Sequence, residues 1–129
     1  MTVSIFNEKV PYSFGKIFTL ADLAAPVGAF PGVALATRID QLIVASDDTV
    51  DHDITLWITN DGNTTPVGTV RIPAGSGVAV ATPAVELISS LPPLGDGCAF
   101  FNGGYFSLSD PVAISAAKTL YVQAIGGLI

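Results

Sequence analysis

The chain has 129 residues and a net charge of −6, the length of one domain. Roughly two-thirds of the unfolded surface can be buried at that size, so neither a metal nor a disulfide is needed to hold a core. The five cations, Lys9, Lys16, Arg38, Arg71 and Lys118, are scattered singly, which leaves no basic stripe for a phosphate backbone and excludes nucleic acid as the expected partner.

Half of the residues are hydrophobic and 12% are charged, about half the usual charged fraction of a globular domain. Cys98 is the sole cysteine, so no intrachain disulfide can form, which fits a reducing compartment. The longest uncharged run, Leu23 to Thr37, is broken by Pro26, Gly28, Pro31 and Gly32 and is too short to span a bilayer. The first ten residues carry no basic segment followed by an apolar one, so no signal peptide is expected. Low charge without a membrane segment suits a subunit that buries surface against other subunits. A well-packed sandwich clothed in Thr, Ser and Gly is the alternative.

In chain order, Thr2 to Ile5 alternate as an edge strand or as an arm lying on a neighbour, and Tyr12-Ser13-Phe14 and Lys16-Ile17-Phe18 continue extended. Thr19 to Asp22 has helix-start spacing, with Pro26 limiting it to a turn or two, and the chain to Gly32 reads as irregular. Residues 1–32 are therefore expected to form an N-terminal arm and residues 33–129 the folded domain. Asp40 to Ala45 is apolar and β-branched, the mark of a central strand covered on both faces.

Asp47 to Asp53 places four aspartates around His52. Calcium loops need a turn glycine and a closing glutamate, and zinc needs further His or Cys at set spacing. Neither is present, so a solvated loop is expected here and no metal or cofactor.

Ile54, Leu56 and Ile58 alternate with Thr55, Trp57 and Thr59 in a two-faced strand. Asn60-Asp61-Gly62-Asn63 supplies a tight reversal, and Pro66 can stand where the next strand begins without costing a ladder hydrogen bond. Pro73 to Gly77 reads as a second reversal, with Val78 to Val80 running back as a third strand. Thr82-Pro83 followed by Glu86 predicts a two-turn helix ended by Pro92-Pro93. Cys98 to Phe101 and Tyr105 to Leu108 read as a hairpin across Asn102-Gly103-Gly104, and Thr119 to Ala124 as the last strand. The sum is a mostly β, single-domain antiparallel β-sandwich, jelly-roll or immunoglobulin-like, with one or two short helices. No internal repeat is visible.

Catalytic constellations are scarce. A hydrolase would have to use His52, which lacks any nucleophile motif around it, and Cys98 lacks a basic neighbour, so it reads as a buried apolar thiol. Gly75-Ser76-Gly77 has no following Lys and reads as a turn, not a phosphate loop. The aromatic residues remain. Trp57 faces away from Ile54 and Leu56, either exposed for stacking a sugar or a partner, or covered by another layer. Of the neighbouring pairs Phe100-Phe101 and Tyr105-Phe106, one member each must face outward if both segments are strands. The partner-contact candidates are Phe6, Tyr12, Phe14, Phe18, Trp57, Phe101 and Tyr105.

From Leu42 to Ala124 the order of a strand, a polar reversal, Ile72-Pro73-Ala74-Gly75-Ser76-Gly77, a short helix, a Gly/Asp turn and Lys118-Thr119-Leu120-Tyr121-Val122 resembles small virion proteins of tailed bacteriophages. Those are β-sandwich subunits that decorate or cement capsids or build tails. The resemblance implies a non-enzymatic structural role, a homo-oligomer in contact with major capsid or tail subunits, residence in the virion after assembly in the host cytoplasm, and an adaptable arm over residues 1–32. It transfers no catalytic residues. The competing expectations are a carbohydrate-binding or adhesin-like module using Trp57, and an enzyme using His52.

Overall fold

The structure, a computed structural model, describes residues 10–30, 37–95, 97–100 and 103–128. Nine strands are described: β1 (Val10–Phe18), β2 (Val27–Phe30), β3 (Thr37–Ser46), β4 (His52–Asn60), β5 (Asn63–Ile72), β6 (Val85–Glu86), β7 (Cys98–Phe100), β8 (Tyr105–Ser109) and β9 (Leu120–Leu128). They form two sheets: β1-β9-β3-β6, with β7 also paired to β3, and β2-β8-β4-β5. Every pairing is antiparallel.

The pairings reveal how the chain is wound. β4 pairs with β5, β3 with β6 and β7, β2 with β8, and β1 with β9. This is one long hairpin, its tip at Asp61, folded over so that successive rungs fall alternately into the two sheets. Pairing of β9 with β3 and of β8 with β4 then closes each sheet. That winding is a jelly roll, and it removes the immunoglobulin-like alternative, whose sheets group the strands differently.

The tip is the expected tight turn. Asp61 (φ 51°) and Gly62 (φ 79°) both take positive φ between paired Asn60 and Asn63, the geometry of a type I′ reversal. Pro66 lies in β5, an edge strand paired only with β4, where a missing N–H costs nothing, and Val67 bulges out between the Leu56–Gly68 and Trp57–Pro66 pairs.

The core fills the space between the sheets. Ile39, Leu42, Val44, Leu120, Val122 and Ala124 face it from one sheet, and Phe30, Ile54, Leu56, Ile72, Phe106 and Leu108 from the other. Phe100 and Phe106 meet edge to face at 4.7 Å, tying the sheets where the chain crosses between them. Burial of one such side chain is worth about 1.5–3 kcal/mol.

Several expectations are corrected. Residues 1–32 do not form an arm where they are described, because β1 and β2 are integral rungs of opposite sheets; Thr2 to Ile5 lie outside the described residues. The helix expected after Thr82 is absent: Val85 and Glu86 instead pair with Val44 and Ile43, and the described helical structure is one 3-10 turn at Pro92–Leu94. A helix there would leave the Leu42 N–H, which the Glu86 carboxylate accepts at 2.8 Å, without its partner. Val78 to Val80 form turns and not a third strand. The Cys98–Leu108 hairpin is a crossing between sheets, with β7 on β3 and β8 on β4 and β2. β3 is central, as expected, but its burial alternates, so only one face is covered by the core.

Candidate interaction surface

The acidic loop is the first sequence candidate, and the fold draws part of it inward. β4 begins at His52 on the same face as Ile54 and Leu56, so its side chain points between the sheets at the end of the sandwich, where it is 0% exposed. Its Nε2 lies 2.8 Å from Asp48 Oδ2 and its Nδ1 2.5 Å from Asp110 Oδ2. Asp48 and Asp110 are buried as well, so the loop is not solvated as expected at this point. Asp51 and Asp53 do face outward, pairing with Arg71.

A neutral imidazole carries one N–H and could satisfy only one of two carboxylates. The geometry therefore calls for an imidazolium donating from both nitrogens. Burial opposes that charge, but the hydrogen bonds and the charges of Asp48 and Asp110 outweigh it and raise the His52 pKa above its ordinary 6.5. Burial likewise opposes the charge of Asp48, yet N–H groups of Ser115 (2.9 Å) and Thr49 (2.6 Å), with His52, hold its carboxyl well below the usual range. With both ring nitrogens engaged, His52 has none left to activate Ser46 or Cys98, and the cluster reads as a tie between loops. Among the described residues no group of three His, Cys, Asp or Glu is arranged to hold a metal ion.

The aromatic candidates separate. Phe18 is buried in the core, and Phe14 packs edge to face on Phe30 at 5.6 Å, with Lys16 Nζ over its ring. Alternation along β1 turns both toward the core, and burial of Phe18 corrects the expectation that it contacts a partner, while Phe14 stays half-buried. Phe6 and Phe101 lie outside the described residues, and of Tyr12 only the backbone place opposite Gly126 is described. Trp57 and Tyr105 do sit on the outer face of the four-stranded sheet, both half-buried. Trp57 Nε1 donates to Ser109 Oγ at 2.7 Å, and Thr55–Thr69 and Thr59–Thr64 hydroxyl pairs flank it.

The other outer face has a different character. On the five-stranded sheet the rows Ile17–Tyr121–Ala45, Gly15–Gln123–Ile43 and Ser13–Ile125–Gln41 run across β1, β9 and β3 without a single charge. The first two of these rows line a shallow groove of about 350 Å³, to which Lys16 also contributes. Ile17 is 65% and Tyr121 41% exposed.

The turns after Pro73 adjoin this face. Ser46 N–H donates to Ser76 O at 2.8 Å and Gly75 N–H to Asp48 O at 3.1 Å, and a Cβ on Gly77 would lie 3.0 Å from that of Ala45. The loop projects Val78 and Val80, the latter 97% exposed. One uncharged patch thus runs from Ile17 across Tyr121 and Ala45 to Val80. Reading Val78 to Val80 as a strand hid this projection; the absence of charge from Pro73 to Val85 was the available signal.

No family model, curated protein or solved structure matches the chain.

Proposed function

We propose that the protein is a non-enzymatic structural subunit of a bacteriophage virion, a capsid decoration or cement protein that meets its neighbours through the outer face of its five-stranded sheet. The observation that carries this reading is the uncharged patch from Ile17 to Val80 on a chain of net charge −6. Apolar side chains held in water by a rigid sheet gain about 25 cal/mol per Å² when a neighbour covers them, and a patch without charge brings no like charges together. The jelly roll supports the reading by analogy only, since the same winding serves viral capsid and lectin domains. The Ile72 to Gly77 segment that resembles phage virion proteins leads directly into the loop that presents Val78 and Val80.

Absolute mass by light scattering across a wide concentration range tests it. A monomer at high dilution that assembles into a discrete homo-oligomer as concentration rises, with Tyr121→Glu monomeric throughout at unchanged Tm, is the expected result; a monomer at every concentration contradicts self-association through this patch.

The lectin-like reading rests on Trp57, whose ring stands among Thr and Ser hydroxyls on the opposite face. Loss of glycan binding in Trp57→Ala, in a protein that stays monomeric, would favour it instead.

A further inference from the structure

The end of the sandwich nearest His52 is closed by loops and not by strand pairing. The β8–β9 loop is held there by Asp110 N–H to Leu23 O (2.8 Å), Ile114 N–H to Leu20 O (2.9 Å), Ser115 N–H to Asp48 Oδ2 (2.9 Å) and Thr119 N–H to Asp47 Oδ1 (2.6 Å). Between that loop and the β3–β4 loop stands the His52 ring, bonded to a carboxylate of each.

We propose that His52 is a protonation-set latch: charged, it ties the β8–β9 loop to the β3–β4 loop through Asp110 and Asp48, and neutral, it lets that end of the sandwich open. Loss of one ring proton sets a nitrogen lone pair against a carboxylate 2.5 or 2.8 Å away, with no exposure to water. An uncompensated charge so buried is not tolerated in place, so the carboxylate must leave or water must enter. Each carboxylate carries backbone with it. Asp48 holds the Ser115 N–H, and Asp110 holds the Val112 N–H at 2.8 Å.

The charged groups around the ring agree in sign. Asp48 faces it from the β3–β4 loop and Asp110 from the end of β8. Asp53, the next residue of β4, is paired outward with Arg71 and still senses the imidazolium. Asp47, beyond Asp48, is bonded to Thr119, and Asp51 accepts from the Ala74 N–H and lies 3.8 Å from Arg71. Acidic neighbours keep the latch closed at neutral pH, and it opens on the alkaline side.

The test follows the His52 ring nitrogens and amide exchange in one protein by NMR, from mildly acidic to alkaline pH. Both ring nitrogens are expected to be protonated at neutral pH. As the ring loses its proton, protection of the Ser115 and Val112 amides, corrected for the intrinsic base-catalysed rate, should fall about tenfold per further pH unit, while Val44 and Val122 keep theirs. Asp110→Asn should move the ring titration and the opening to lower pH together. A ring already neutral at neutral pH overturns the proposal. So does a ring that titrates with unchanged protection, one that stays charged until the whole protein unfolds, or an opening that Asp110→Asn leaves in place. Should that variant fail to fold, the unsubstituted protein's titration decides alone.

Discussion

His52 Nδ1 and Asp110 Oδ2 lie 2.5 Å apart across 58 residues of chain, a buried bond between the first residue of β4 and the residue that follows β8. Truncating either partner leaves the other's polar groups buried without a mate. Asp110→Ala should therefore destabilise by about 3–5 kcal/mol, measured by urea unfolding at neutral pH. Asp110→Asn, which keeps an acceptor for Nδ1–H, should cost less. Equal losses would mean that the retained acceptor contributes nothing and that the tie rests on the charge of Asp110.

The same cluster sets the pH dependence of global stability. The His52 pKa is raised by folding, so its contribution is complete below its ordinary 6.5 and is lost as pH rises through the higher folded value. The Asp48 pKa is depressed, so its contribution is complete above its ordinary 3.8 and is lost as pH falls toward the lower folded value. Urea midpoints should peak between those two ordinary values and decline on both sides. His52→Gln should flatten the alkaline decline.

Glu86 accepts from three backbone N–H groups, those of Leu42, Ile88 and Ser89, each at 2.8 Å. It is thus the staple that holds the short β6 against β3. Glu86→Ala should cost about 3 kcal/mol, since each stranded donor costs on the order of 1–3 kcal/mol where burial keeps water away. Glu86→Gln retains one carbonyl oxygen and should lose less. Denaturant unfolding of the two variants side by side decides it.

Two glycines should separate steric from conformational cost. A Cβ on Gly126 would lie 1.8 Å from the carbonyl oxygen of Arg38, where β9 passes the bulge in β3. Backbone cannot yield as a side chain does, so Gly126→Ala should lose more than about 3 kcal/mol. Gly62 has open space around it and a φ of 79°, so Gly62→Ala should cost only about 1 kcal/mol. Thermal unfolding of both distinguishes them.

Local pattern was legible wherever one face of a strand is dry. Ile54, Leu56 and Ile58 against Thr55, Trp57 and Thr59 announce β4, and Asn60 to Asn63 announce its turn. What local pattern cannot carry is pairing at a distance. Thr82 to Glu86 has every sign of a helix start, yet Val85 and Glu86 are claimed by a strand more than forty residues earlier. His52 looked solvated because its neighbours are acidic; only the arrival of Asp110 makes burying that charge affordable. Phe14 and Phe18 looked available because nothing local revealed that β1 and β9 pair. The patch from Ile17 to Val80 likewise joins segments that only the winding brings together.

If the outer face of the five-stranded sheet is the interface we propose, hydroxyl-radical footprinting of the protein across a dilution series reads it directly. Tyr121 and Tyr105 supply an internal comparison, since they lie on opposite outer faces and both are partly exposed. Labelling of Tyr121, Ile17 and Val80 should fall as the mass rises with concentration while Tyr105 stays constant. Constant labelling of Tyr121, or protection of Tyr105 in its place, would contradict the assignment.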